Sequence, residues 1–252
     1  MAENKILPNV LKFASNKESA NYSSRSKEEF EQYAFSWLAH PDHENIVKHM
    51  YPDSKGVITI GIGHAIQNTE AVKRLSFYFR NPPTHGRGVE DKDKVDEFNK
   101  LKVLFASLKN VPPGNSSVFR NATNLDLKEE AIKDLFEEDL KKFLRQLEQT
   151  FPHYNEYPDE AKLGLLDMSY NLGHAGLTGK FPKLVRAAKM GDWSTVANEC
   201  RRNGIGNKRN EDTKELFEKA EKALETIKAS QAPVLLTDGT LAAEKSFPDL
   251  WS

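Results

Sequence analysis

Residues 44–64 read ENIVKHMYPDSKGVITIGIGH, and the meaning of this stretch decides how the remainder of the chain is understood. Val57, Thr59, Gly61 and Gly63 alternate with Ile58, Ile60 and Ile62, the period-two pattern of a strand with one apolar face. Asp53-Ser54-Lys55-Gly56 comes just before and has turn chemistry, its glycine being able to take a positive φ. The pattern predicts a hairpin with Asp53 near its turn and Thr59 on the returning strand. On the Thr59 face the glycines at 61 and 63 carry no side chain, as a strand requires where a ligand or another backbone lies close. Glu44, Asp53 and Thr59 are the polar groups such a face can gather around a substrate.

Working outward, Ser26 has the character of a helix N-cap, with Glu28 and Glu29 in the first turn. Phe30, Tyr33, Ala34, Trp37 and Leu38 follow at helical spacing, and the helix is expected to stop before Pro41, leaving Glu44 on an extra turn. After His64 a short helix is expected within 65–79, then a break at Pro82, Pro83, Gly86 and Gly88, then an amphipathic helix carrying Val95, Phe98, Leu101, Leu104 and Phe105. Asp126 and Glu129 stand in a capping-box relation and open the most strongly patterned helix, with Ala131, Leu135, Phe136, Leu140, Phe143, Leu144 and Leu147 as its stripe. Asp159 to Leu172 is apolar on most faces, which predicts a central buried helix with Gly173 at its C-terminal cap. Short helices at 181–189 and 192–200 and a longer one at 209–227 complete the reading.

Composition narrows the function. Thirty-six basic and 37 acidic residues leave a net charge of −1, with no electrostatic footprint for nucleic acid. No stretch is apolar for long enough to span a bilayer, and the N-terminal MAENKILPNVLKF lacks the form of a secretory signal. The single cysteine, Cys200, excludes an internal disulfide and fits synthesis in a reducing cytoplasm. A substrate outside the cytoplasm would therefore be reached after delivery by another component.

Competing constellations are weaker. His40, His43 and His49 flank Glu44, but the H-E-x-x-H pattern that His43-Glu44 begins meets Val47 where its second histidine belongs. No metal is expected. Gly61-Ile62-Gly63 is followed by Ile66 at the position of a third glycine, so a nucleotide-binding loop is not supported. Cys200 is expected as a small buried hydrophobe. Glu44 alone reads as a solvated residue and Asp53 alone as a turn former; only their spacing, ahead of TIGIGH, favours chemistry.

That spacing, Glu44-x8-Asp53-x5-Thr59 within YPDSKGVITIGIGH, resembles the active-site stretch of the phage-type lysozymes, glycoside hydrolase family 24. Glu130-Ala131 through Leu135-Phe136 to Asp139 is similar to the family's lobe-joining helix, Asn171 and Gly173 to its N-x-G, and KRNEDTKELF at 208–217 to one of its late helices. A tryptophan that many members carry shortly before that helix is missing. The resemblance covers 26–228 with an insertion over 68–122, flanked by an N-terminal arm at 1–25 and a C-terminal tail at 229–252.

The resemblance implies an α+β, mainly helical, lysozyme-like two-lobed fold with a small hairpin lobe, a long connecting helix and a helical lobe. It implies a muramidase cutting peptidoglycan between N-acetylmuramic acid and N-acetylglucosamine with inversion, for which two carboxyl groups stand roughly 6.5–9.5 Å apart. Glu44, beside Trp37, is then the acid, Asp53 the carboxylate facing the water or the developing charge, and Thr59 the holder of that water. Gly61, Gly63 and Asn171 border the substrate, and His64 with Asp139 forms a structural ion pair. No cofactor is called for, and a monomer is expected to act on peptidoglycan strands in the periplasm or cell wall. The setting is either a phage endolysin released by a holin or an antibacterial toxin, an effector or bacteriocin, with an immunity or delivery partner. A non-catalytic wall-binding or partner-binding module on the same scaffold stays open, since fold alone does not secure function.

Overall fold

The computed structural model of the protein describes residues 25–84, 86–108 and 116–230. Nearly all of the expected N-terminal arm and C-terminal tail thus lies outside the described residues. The chain enters through helix α1, Lys27–Leu38. A reciprocal cap fixes its start: the Glu29 N–H donates to Ser26 Oγ at 3.2 Å and the Ser26 N–H donates to the Glu29 carboxylate at 2.7 Å, an arrangement worth about 1 kcal/mol. Phe30, Ala34 and Leu38 form its buried face.

Strands β1 (Val47–Pro52), β2 (Ile58–Gly61), β3 (His64–Ala65), β4 (Phe77–Phe79) and β5 (Leu125–Leu127) follow, separated by helices α2 (Thr69–Lys73), α3 (Asp91–Ser107) and α4 (Ser117–Arg120). They build one sheet in the order β3-β2-β1-β5-β4, and every neighbouring pair is antiparallel. Helix α5, Glu129–Thr150, leaves the sheet and leads through a short 3₁₀ turn, Tyr154–Glu156, into the helical lobe. That lobe comprises α6 (Asp159–Leu172), α7 (His174–Lys180), α8 (Pro182–Lys189), α9 (Trp193–Glu199) and α10 (Asn207–Ser230).

Helix α6 is the axis of this lobe. All ten residues from Ala161 to Tyr170 are buried, so its leucines at 163, 165 and 166 each contribute roughly 1.5–3 kcal/mol through burial. Gly164 lets α10 approach: a Cβ there would stand 2.6 Å from the Phe217 ring. Phe217 in turn lies parallel to Trp193, and Tyr157 meets Trp193 edge-on at 4.8 Å between centroids. The expected α+β, mainly helical, two-lobed architecture is what the chain forms.

Three local expectations are corrected. The strand read over 57–63 ends at Gly61; Gly61 and Gly63 have φ of 66° and 69°, and the chain doubles back so that Ile60 pairs with His64. The helix expected within 65–79 is confined to α2, and Phe77-Tyr78-Phe79 pairs with β5 as an edge strand instead, consistent with its aromatic content. Asp126 does not cap α5: it lies within β5, its carboxylate is bound by Arg80 and the helix begins after Lys128 with no side-chain cap. An ion pair across the sheet has outcompeted the local cap. The segment read as an insertion is therefore structural, since it contributes β4 and buries Phe98, Leu101 and Phe119 in the shared core.

Candidate active site

Glu44 owes its position to the end of α1. The chain makes one further turn after Leu38, and the Glu44 N–H donates back to the Leu38 carbonyl at 3.1 Å. One carboxylate oxygen, Oε1, stands 2.8 Å from Nη1 of Arg209 on α10. The other, Oε2, faces the Gly63 backbone: a Cβ on Gly63 would lie 3.0 Å from it and 3.4 Å from the Tyr170 ring. Both the positive φ and this close approach explain why glycine occupies position 63. The Tyr170 hydroxyl donates to the Ile62 carbonyl at 2.8 Å, which pins the β2–β3 turn against α6.

Arg209 belongs to a buried ionic knot. Asp167 Oδ1 accepts from Arg209 Nε at 3.0 Å and Nη2 at 2.7 Å. Asp167 Oδ2 accepts from Arg202 Nη2 at 2.7 Å and the Thr213 hydroxyl at 2.9 Å. Burial by itself would raise the Asp167 carboxyl, but Arg209 and Arg202 outweigh it and hold it well below the usual carboxylate range. Burial works against the charge on Arg209 too, yet Asp167 and Glu44 more than offset it and hold the guanidinium firmly protonated. Two buried guanidiniums thus face Asp167 and Glu44 together. Through Arg209, Glu44 is part of this charge network.

On the sheet side, Asp53 is half-buried at the β1–β2 turn. Its Oδ1 accepts from the backbone N–H groups of Lys55 and Val57, both at 2.8 Å, which leaves Oδ2 outside these two bonds. The buried Thr59 donates its hydroxyl to the Val57 carbonyl at 3.1 Å. Thr59 pairs across the ladder with Tyr51, so the two side chains leave the same face of the sheet. Burial raises the Tyr51 phenol, and the charges of Glu44 and Asp53 raise it further. One hydroxyl therefore senses both carboxylates.

The remaining expected residues have different surroundings. His64 Nδ1 lies 2.8 Å from Asp139 Oδ2, joining the sheet to the middle of α5. A Cβ on Gly61 would meet Ile132 of α5 at an ordinary 3.7 Å, so this glycine backs onto the connecting helix. Asn171 is half-buried in the last turn of α6, next to Tyr170. Gly63, His64, Asp139, Tyr170 and Gly173 line a cleft of about 580 Å³ between the sheet, α5 and α6.

The histidines near Glu44 are engaged elsewhere. His43 lies against the Trp37 ring at 4.5 Å and reaches Asp212 at 3.3 Å, while the Nε2 of His49 stands 2.8 Å from the Ser116 carbonyl. Cys200 is buried, which pushes its thiol up to about 11, and it is no activated nucleophile.

Tyr51, Asp167, Arg202 and Arg209 were not singled out by sequence reading. The KRNEDTKELF run contains Arg209, but nothing local distinguishes it from the basic residues beside it. A buried acid within the apolar pattern of α6, at Asp167, was the one legible signal that a buried cation must face it.

A small sheet lobe, a long connecting helix and a helical lobe define the architecture of a lysozyme-type glycoside hydrolase. Residues 41–216 match the phage lysozyme family model. The chain belongs to the phage lysozyme family, and its activity class is that of a muramidase acting on peptidoglycan. Comparison with curated proteins gives no match. Among the described residues no helix is long and apolar enough to cross a membrane.

Proposed function

We propose that the protein hydrolyses the bond between N-acetylmuramic acid and N-acetylglucosamine in peptidoglycan, with inversion, using Glu44 as the acid. The observation that carries this reading is the division of labour between the two Glu44 oxygens. Arg209 holds Oε1, while Oε2 lies beside the side-chain-free backbone of Gly63 at the cleft. The proton delivered to the departing glycosidic oxygen therefore sits on Oε2. Asp53, with one oxygen fixed by its turn, faces the sugar from the other side, and Thr59 orients the attacking water through its hydroxyl. Water adds to the anomeric carbon as the glycosidic bond breaks, its proton passing to Asp53. Gly63 and Asn171 border the bound glycan, whereas Gly61, which backs onto the connecting helix, does not.

Glu44→Gln is the deciding variant. It keeps the shape beside Arg209, but has no proton to give. Reducing-end release from purified sacculi should fall at least about a hundredfold, the lower range for general acid catalysis, while the melting transition and sacculus binding persist. Retained turnover would exclude Glu44 as the acid. A wild type that binds sacculi and releases no fragments would favour the wall-binding module. The anomer formed first, read by NMR, tests inversion.

Either an endolysin or a delivered antibacterial toxin suits this activity. A neighbouring holin gene marks the first setting, and a neighbouring gene for a small immunity protein marks the second.

A further inference from the structure

The turn that carries Glu44 is tied to α10 by two contacts. Arg209 takes Glu44 Oε1. Three residues further along the same face of α10, Asp212 Oδ2 lies 3.3 Å from Nε2 of His43, the residue just before Glu44. The His43 side chain is only 4% exposed, and its Nδ1 stands 2.6 Å from the Trp37 carbonyl oxygen. Both ring nitrogens therefore face acceptors, whereas a neutral imidazole has a single N–H to give. Only the imidazolium donates to both; in the neutral ring the Nε2 lone pair would face the Asp212 carboxylate. The Trp37 ring, its centroid 4.5 Å from that of His43, favours a neighbouring cation as well. On its own turn His43 also faces His40, whose ring lies 5.5 Å away and 3.7 Å from Asp42. On α10, Lys208 shares Asp212. Burial alone would raise the Asp212 carboxyl, but Lys208 and His43 together hold it below its usual value.

The His43 contact matters when Glu44 is ready to react. A general acid acts in its protonated form, and the Glu44 bond to Arg209 is then no longer an ion pair. Asn45, next in the chain, has a φ of 61°, a left-handed backbone that persists only where its surroundings hold it. We propose that His43 and Asp212 are positioning residues, their ion pair keeping the Glu44 turn docked on α10 in the protonated state, when the Arg209 link is weakest. This rests on the reading of Glu44 as the acid. The pair exists only while His43 keeps its proton and Asp212 lacks one. Its contribution is therefore present below the titration of His43, is lost as pH rises through it, and is lost again in strong acid as Asp212 takes up a proton.

Asp212→Ala removes the pair and keeps a good helix former in α10. In reducing-end release from sacculi, wild-type kcat should exceed that of the variant about tenfold where His43 is protonated, within the range that misplacing a reacting group costs, with KM little changed. The ratio should fall toward one as pH rises through the His43 titration, followed by NMR of its ring; the titration of Glu44 enters both proteins and leaves the ratio. Asp212→Asn, which keeps the shape without the charge, should show the same fall. A ratio independent of pH would overturn the proposal, since a merely structural contact gives that result, and so would a ratio of one throughout. Amide hydrogen exchange needs no turnover. In Glu44→Gln, uncharged like the reactive acid, the N–H of residue 44, which donates to the Leu38 carbonyl in the native protein, should lose about tenfold in protection when Asp212→Ala is added. That loss should appear below the His43 titration and not above it; unchanged protection would overturn the proposal. A wild type that releases no reducing ends would count against the muramidase reading alone, and the exchange measurement then decides the positioning role.

Discussion

The β1–β2 turn and the buried knot of the helical lobe both hold charged groups of the candidate site, by opposite means. At the turn, Asp53 and Thr59 satisfy themselves within four residues of chain, on the backbone of Lys55 and Val57. In the helical lobe, Asp167 draws its partners from 35, 42 and 46 residues away, and Arg209 then reaches across to Glu44 near the start of the fold. A locally bonded turn keeps its geometry whenever its strands are paired. Glu44, by contrast, is oriented only once the last helix has docked, so its placement reports on the integrity of the whole molecule.

The largest test of this contrast is Asp167→Asn. It leaves Arg202 buried without its counter-charge and Arg209 with Glu44 alone, and should destabilise the fold by about 3–5 kcal/mol, read by urea unfolding at pH 7. The cost is pH-dependent. Because Arg209 and Arg202 keep the folded Asp167 carboxyl well below its usual range, its contribution is complete above the unfolded value of about 3.9 and is lost as pH falls from there toward the folded value. The penalty of Asp167→Asn should therefore be smaller at pH 3 than at pH 7. Equal penalties would mean that the knot is no more than a packing feature.

Gly63→Ala sharpens the comparison where the two regions meet. A left-handed alanine costs about 1–2 kcal/mol, and its Cβ would stand 3.0 Å from Glu44 Oε2. We expect a modest fall in melting temperature together with a disproportionate loss of turnover, seen as a lower kcat in fragment release. Wild-type kcat in a folded Gly63→Ala protein would remove Oε2 from the reaction.

On the turn itself, Asp53→Ala leaves two backbone N–H groups without their acceptor and should cost about 1 kcal/mol. Asp53→Asn can still accept both bonds and should be nearly neutral in stability. Both should be severely impaired in reducing-end release. If Asn were as destabilising as Ala, the charge and not the bonding geometry would be holding the turn.

The smallest expected effect on stability belongs to Thr59→Val, which keeps the side-chain shape and forfeits one hydrogen bond to the Val57 carbonyl. A loss under about 1 kcal/mol, with turnover reduced well beyond what that loss explains, would separate water placement from scaffolding. Parallel loss of both would make Thr59 structural.

Legibility followed the range of the forces involved. The cap of α1, the Asp53 turn and the burial of α6 were readable because period, turn chemistry and capping act over a few residues. Asp126 was misread for the same reason: its spacing to Glu129 satisfies a capping box, but Arg80 binds it across the sheet, and a charge-assisted bond outweighs a local cap. Phe77 and Phe79 suited a helix or a strand equally well until β5 offered an edge to pair with.

The amino-acid sequence on its own determined the hairpin around Asp53, the helix that carries the chain to Glu44, and the apolar stripes from which the two lobes are built. Each depends on neighbours within a turn or two of chain. Only the tertiary structure decided that Arg209 takes one oxygen of Glu44, that Asp167 and Arg202 brace it, and that Tyr51 senses both carboxylates. Their energies come from charges brought together in a poorly solvated interior. Residues distant along the chain reach that interior only when the lobes close on one another.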